Sequence, residues 1–400
     1  MFIQYGELLV DYRKSELLKR HVEDLHVKKG MSVSELISAM KNIGGFSAQN
    51  MVHGIGIIDA MLRDRDSFNF LSFPANIIST GVRGIRYEKE AGAIVDMLDI
   101  NAGASYSASK NVAANKASAM VINKSIQEFA NTTENKYDII DLDPFGTPAP
   151  YIYDLMKIAS KGAMLMVTAT DGAVLCGAHQ KACVKLYNSV PLHNELCHEA
   201  GIRILLSFIS RMASQFNLGI FPILSIYKIH YMRVFLYLRS GAQEASSSMS
   251  ANGYVSYCTK CHAYYTNAGI VAILDRLCPN CGGRLLHSGP IWVGAMDDKI
   301  TINKALKAYG SEEYQEASLI LHKKLQELSV PFFYSIPRIT QSAGISSVSP
   351  SLVIEELGRM GVRATKAMFE KDCIKSAGGI REVTAAIKSV AAVNDRAAGK

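Results

Sequence analysis

From about Phe68 to Leu238 the chain alternates short apolar runs with stretches of helical composition. Strands spaced this way, with helices between them, find backbone partners by lying side by side in a parallel sheet whose faces the helices cover. The rhythm therefore predicts a doubly wound α/β sheet. It also says where chemistry belongs, because such sheets bind ligands beyond the carboxyl ends of their strands. Four hundred residues with 48% hydrophobic content give that sheet a core and leave chain for further domains.

Residues 79–86, with Gly81, Arg83 and Gly84, read as a glycine turn leading into a helical stretch at 87–92. A second strand over 93–98 ends in Asp99, eighteen residues beyond Gly81, close to the spacing of about twenty at which nucleotide-binding sheets set an acid on ribose hydroxyls. A single Gly-x-x-Gly without the full dinucleotide fingerprint disfavours a nicotinamide cofactor. Runs at 119–123, 137–142 and 163–170 are the third, fourth and fifth strands, so Asp143 and Asp171 also fall at strand ends. The glycine turn, Asp99, Asp143 and Asp171 are expected to line one crevice.

The fourth strand runs straight into Asp141-Leu142-Asp143-Pro144-Phe145-Gly146-Thr147-Pro148. An exocyclic amine on a base is a poor nucleophile, because its lone pair is delocalised into the ring. A carboxylate that accepts its N–H bonds returns electron density. Proline removes a donor and fixes φ so that a carbonyl can face the same amine, and phenylalanine offers a flat face for stacking. An Asp-Pro turn has no such meaning by itself; the strand-end position supplies it. Asp143 and Phe145 are the candidate catalytic residues.

Cys258-x2-Cys261 and Cys278-x2-Cys281, with sixteen residues between the pairs, match two knuckles around one tetrahedral zinc ion. Pro279, Gly282 and Gly283 supply tight turns, and four thiolates predict a structural site, with His262 and His287 at the surface or behind the ligands. Cys176, Cys183, Cys197 and Cys373 read as core thiols, and eight cysteines used this way fit a reducing compartment. The amino terminus lacks the pattern of a signal peptide, and charged and amide side chains interrupt the most apolar window, 202–226. A cytoplasmic protein without a membrane segment is expected. The net charge of +7 is compatible with an RNA partner.

Helical periodicity at 304–309 and 311–327 is followed by two short helices, the second framed by Ser349, Pro350 and Gly361, and by the segment 362–369. This predicts a helix-turn-helix with a wing, a smaller helical, winged-helix-like carboxy-terminal domain. Ser246-Ser247-Ser248 reads as a flexible joint. His193 and His198, five apart, do not share a helical face, so 193–199 reads as a polar helix start, with Glu195 or His198 toward the substrate.

The chain resembles the tRNA guanine-26 N2-dimethyltransferase family over most of its length, through the Asp141–Pro148 loop, 168–179, 195–205, 289–294 and Pro331-Phe332-Phe333-Tyr334. The resemblance implies a Rossmann-like class I methyltransferase sheet with S-adenosylmethionine as methyl donor and tRNA as partner. No obligate protein partner is evident. It makes Asp143 the holder of the guanine amine, with Phe145 beside the base. It sets Asp99 on the donor's ribose, Arg65 of Asp64-Arg65-Asp66 on its methionine carboxylate, Arg83 beside the pocket, and Ser125-Ile126 where the family has Asp-Ala at the adenine. Gly56-Ile57-Ile58-Asp59, Ala75 and Ile78 depart from the family on the cofactor side. The domain division is 1–244 for the methyltransferase domain (core about 68–240, extension 1–67), 245–290 for a zinc ribbon and 291–400 for a carboxy-terminal RNA-binding domain. Methylation of another planar amine, adenine N6 or glutamine, and a non-enzymatic zinc-containing nucleic-acid regulator are the alternatives.

Overall fold

The computed structural model describes Ile85 and residues 87–89, 92–309 and 315–397, all within one compact unit, Ala75–Lys400. The extension 1–67 with Arg65, the departures at 56–59, 75 and 78, the first strand and Arg83 lie outside the described residues.

The described chain opens with β1 (Asp96–Leu98), α1 (Ala102–Ala114), β2 (Met120–Ile122) and α2 (Ile126–Thr132). Then come β3 (Tyr137–Leu142), α3 (Ala149–Ile158), β4 (Ala159–Ala169), α4 (Gly172–Leu175), α5 (Gln180–Tyr187) and α6 (Cys197–Ser214). β5 (Leu218–Lys228) and β6 (Tyr231–Ser240) complete this α/β part. β1 pairs in parallel with β2, and β3 with β4, with Leu142 opposite Val167. The second group is a four-stranded sheet in the order β3-β4-β6-β5. It is mixed where the rhythm predicts parallel strands: β6 runs antiparallel to both β4 and β5. Only residues 229 and 230 separate β5 from β6, which is a hairpin turn and leaves no length for a crossover helix.

α6 is buried on nearly every side, from Glu199 through Ser210, because it lies between β5 and the later strand β9. A helix so placed must be apolar all round. That explains the apolar 202–226 window, and it makes the interrupting Arg203 a buried charge rather than a surface one.

α7 (Ala242–Ser250) is followed by β7 (Asn252–Cys258), β8 (Tyr264–Ala268) and β9 (Leu285–Trp292), a sheet in the order β8-β7-β9. The expected joint at Ser246–Ser248 is instead helix α7. A Cβ on Gly219 would come within 2.2 Å of the Glu244 carbonyl, so its absence lets α7 lie on β5. There Ser248 is buried, with Oγ 2.8 Å from Ser210 Oγ and accepting the Ile220 N–H at 3.1 Å.

The rest of the chain forms α8 (Lys299–Tyr309), α9 (Gln315–Gln326), β10 (Tyr334–Ser335), α10 (Ile336–Ala343) and α11 (Pro350–Arg359). It ends with β11 (Ala364–Lys366), β12 (Cys373–Ser376) and α12 (Ile380–Ala397). α8 starts earlier than its periodicity indicates, because the Asp298 carboxylate accepts the Thr301 N–H at 3.0 Å. β12 lies between β10 and β11, antiparallel to both. A second apolar core joins Cys258, Cys278 and Leu285 to Ile336, Val353, Ile374 and Ile387, so the cysteine end of the β7 sheet rests on the carboxy-terminal elements. Among the described residues no helix is long and apolar enough to cross a membrane.

Candidate active site

The Asp143 loop leaves β3 and is pinned to the end of β4. The Gly146 N–H donates to Thr170 Oγ1 at 2.8 Å and the Thr170 N–H donates to the Gly146 carbonyl at 3.0 Å. Gly146 has φ +77°, a left-handed turn that glycine adopts at little cost. Thr147 Oγ1 accepts the Ala149 N–H at 3.2 Å, steering the chain into α3. Phe145 is 72% exposed at the outside of this turn, so its ring contributes little to the core and keeps a face for a ligand.

Behind the loop stands Arg233 of β6, opposite Thr168 in the sheet register. Its guanidinium donates to Asp141 Oδ1 at 2.8 Å and to Thr168 Oγ1 at 2.6 Å, and comes within 3.9 Å of Asp143 Oδ2. Tyr87 O–H donates to Asp141 Oδ2 at 2.8 Å. Asp141 is thus a supporting acid that anchors the cation, while Asp143, one step beyond the strand, meets that cation at longer range. On the other side Tyr187 O–H donates to Asp171 at 2.9 and 3.0 Å and accepts from Thr147 Oγ1 at 2.8 Å. Burial pushes the Asp171 carboxyl above its ordinary range, and the Tyr187 bond opposes part of that rise. Asp143 and Asp171 therefore share one edge, as their strand-end positions require.

Asp99 follows β1 directly. Its Oδ1 accepts the Asn101 N–H at 2.8 Å at the start of α1, and its carbonyl accepts from Asn123 Nδ2 at 2.8 Å. Ser125 is the N-cap of α2, its Oγ accepting the Glu128 N–H at 3.1 Å, and Ile126 packs onto the main core. The capping role uses a lone pair of Ser125 and leaves its O–H proton for another acceptor.

The four paired cysteines converge, with ligand atoms all within 4.8 Å of one another. Sγ separations of 3.5 Å for Cys258 and Cys281 and 3.6 Å for Cys261 and Cys278 approach the roughly 3.8 Å edge of a tetrahedron with Zn–S bonds near 2.3 Å. Each knuckle places the residue after its second cysteine in the left-handed region, His262 at φ +58° and Gly282 at φ +68°. His262 is held there by Tyr257, whose hydroxyl lies 2.6 Å from Nδ1, and by Glu195, 3.1 Å away. That ties Glu195 to β7. His287 Nδ1 pairs with Ser256 Oγ at 2.9 Å.

A second polar centre is closed. Glu199 of α6 has no solvent exposure. It accepts from Arg203 Nη2 at 2.7 Å, from Lys375 Nζ at 3.0 Å and from the Phe332 N–H at 2.7 Å. Arg203 also donates to the Trp292 and Gly294 carbonyls. Phe332 sits at φ +59°, costly for a bulky residue, and the Glu199 bond helps to hold it. Burial opposes ionisation of Glu199, but Lys375 and Arg203 outweigh it and bring the carboxyl down to about 2. Arg233 and Arg203 are charges inside apolar runs, and that was the available signal for both networks. Arg233 meets Thr168 and Asp141 from 65 and 92 residues away, and Glu199, four residues from Arg203, meets Lys375 from 176 away; no local pattern reveals these long-range partners.

The sequence profile described as "N2,N2-dimethylguanosine tRNA methyltransferase" matches residues 33–388. The tRNA (guanine(26)-N(2))-dimethyltransferase of Pyrococcus furiosus is 34% identical over 319 residues, covering 74% of this chain and 81% of that protein. Its namesake from Halobacterium salinarum is 32% identical over 333 residues, covering 82% and 88%. The solved structure of Trm1 from Pyrococcus horikoshii in complex with S-adenosyl-L-methionine superposes with a TM-score of 0.70 at 32% identity, covering 78% of this chain and 86% of that one.

Proposed function

The chain belongs to the N2,N2-dimethylguanosine tRNA methyltransferase family, and on that premise we propose that it transfers one or two methyl groups from S-adenosyl-L-methionine to the N2 amine of guanine-26 in tRNA. The observation that carries this reading is the Asp143 loop, pinned to β4 with an acid at its rim and an exposed phenyl ring two residues on.

In this reading Asp143 accepts the N–H bonds of the guanine amine and Phe145 stacks on the base. Arg233 keeps the Asp141 side of the loop in register, which is positioning rather than proton transfer. When bound, S-adenosylmethionine supplies an activated methyl group. Asp99 fits its ribose: one carboxylate oxygen is engaged by Asn101 N–H, and the acid stands at a strand end. Ser125 has a donor left for the adenine edge, with Ile126 against the ring. The family resemblance adds Arg65, for the methionine carboxylate, and Arg83 as expected contacts, both outside the described residues. Since the target guanine must be unstacked to reach such a loop, the enzyme needs a grip on the RNA body.

The carboxy-terminal part fits that need. Two helices, α10 and α11, followed by the β11–β12 hairpin have the order of a winged helix, and 291–400 is the proposed RNA-binding domain. Cys258, Cys261, Cys278 and Cys281 hold a structural Zn2+ in a ribbon at 245–290, and 1–244 is the catalytic domain. A cytoplasmic location follows from the substrate.

Incubating the protein with labelled S-adenosylmethionine and unmodified tRNA, followed by nucleoside analysis, tests this. N2-methylated guanosine is expected, at position 26. Methylated adenosine would move the assignment to another planar amine, and tRNA binding without transfer would leave a binding protein.

A further inference from the structure

Of the cysteines outside the knuckles, Cys183 and Cys373 are buried as core thiols should be, but Cys176 and Cys197 are only half-buried. They come from different elements. Cys176 follows α4, five residues after Asp171, and Cys197 is the first residue of α6. With His198 they form a group whose ligand atoms all lie within 4.8 Å of one another. The imidazole is held on two sides: the Tyr227 ring from β5 stacks on it at 4.0 Å with a 17° interplanar angle, and Glu370 Oε1, between β11 and β12, lies 2.6 Å from Nδ1. His193 Nδ1 braces the same turn through the Cys176 carbonyl at 3.0 Å.

We propose that Cys176, Cys197 and His198 form a second metal site, separate from the four-cysteine knuckles, that takes a borderline-soft divalent cation such as zinc. Two sulfurs and an imidazole are the donor set of such ions, and three protein ligands leave a fourth coordination place open. A carboxylate hydrogen-bonded to the ligating histidine, as Glu370 is placed to be, is the arrangement that fixes ring orientation in zinc sites. An accidental cluster of thiols would not need it. The histidine is 26% and the glutamate 36% exposed by side chain, so an ion has access. The site would join the segment after Asp171, the head of α6 and the β11–β12 hairpin.

Metal content distinguishes this from a redox pair. The full chain, purified without chelator, is measured by plasma mass spectrometry beside a Cys176→Ser/Cys197→Ser variant and a His198→Ala variant. The wild type should carry one zinc more per chain than the double variant, at unchanged circular dichroism. In the cobalt-substituted protein, thiolate-to-cobalt absorption should fall by about a third, because thiolate ligands drop from six to four. Equal zinc in wild type and double variant overturns the proposal, as does a Cys176–Cys197 disulfide in the protein handled without reductant. A failure of methyl transfer would not affect this readout.

Discussion

Two carboxylates, Asp143 and Glu199, show how the same chemical group is used in opposite ways. Glu199 is wholly enclosed, and donors from α6, β12 and the Phe332 backbone converge on it. Asp143 stands at a strand end, 15% exposed by side chain, with Arg233 at 3.9 Å and an exposed phenyl ring beside it. A saturated acid stabilises the native packing and has nothing left for a ligand. An acid at a strand end, beside an exposed ring, stands where such sheets meet their ligands, and its surroundings serve the rim rather than the packing of the core. The difference should separate cleanly into folding on one side and turnover on the other.

The largest effect is expected at Glu199. Glu199→Ala leaves Arg203 and Lys375 buried without their shared partner, which should cost about 3–5 kcal/mol in urea unfolding. A loss under about 1 kcal/mol would mean that water compensates the cations and that the centre is not closed. The sign with pH is fixed by the lowered carboxyl. With a folded value of about 2 against an ordinary value near 4.3, the stabilisation is complete above about pH 5 and is lost as the pH falls toward 2. Glu199→Gln should flatten that limb of the stability curve, and an unchanged limb would place the acid sensitivity elsewhere.

Asp143→Ala should do the reverse, lowering kcat by about 10²–10³-fold while calorimetry still finds S-adenosylmethionine bound and the melting temperature barely moves. Near-normal turnover would remove Asp143 from its assigned role. Phe145→Ala sharpens the same contrast. Stacking on a base is worth about 1–3 kcal/mol, so kcat/KM for tRNA should drop by roughly that amount, with stability within about 0.5 kcal/mol of wild type because the ring is exposed. The same truncation at Phe332, 0% exposed and packed under Arg203, should instead cost about 3–5 kcal/mol of folding.

The rim was far more legible in the sequence than the enclosed centre. β3 appears over the residues its apolar run marks, Asp143 follows it directly, and the four cysteines converge as their spacing requires. These features are local: a strand, its turn and two short knuckles. Glu199 was visible only as part of a polar helix start, and Ser248 only as part of a serine tract. Each is buried with a partner distant along the chain, Lys375 in one case and Ser210 in the other. The β5–β6 hairpin is illegible for another reason: Ile229-His230 joins the two strands without the Gly, Asn or Asp that marks a two-residue turn.

The smallest effect tests whether Asp171 belongs to the rim or to the interior. Its carboxyl is raised by burial, and the Tyr187 hydroxyl counters that by donating to the ionised form. Tyr187→Phe removes this donor and the acceptor of Thr147 Oγ1, and should cost about 1–2 kcal/mol. Because the lost bond favours the carboxylate, the penalty should be larger at pH 7.5, where Asp171 is more ionised, than at pH 4.5. The sign is the same as for the Glu199 variants, since both lose stability that requires a charged acid, but the Asp171 carboxyl is raised by burial, so its window lies at higher pH than that of Glu199. Equal penalties at the two pH values would show that Tyr187 contributes through packing against Phe208 rather than through the acid.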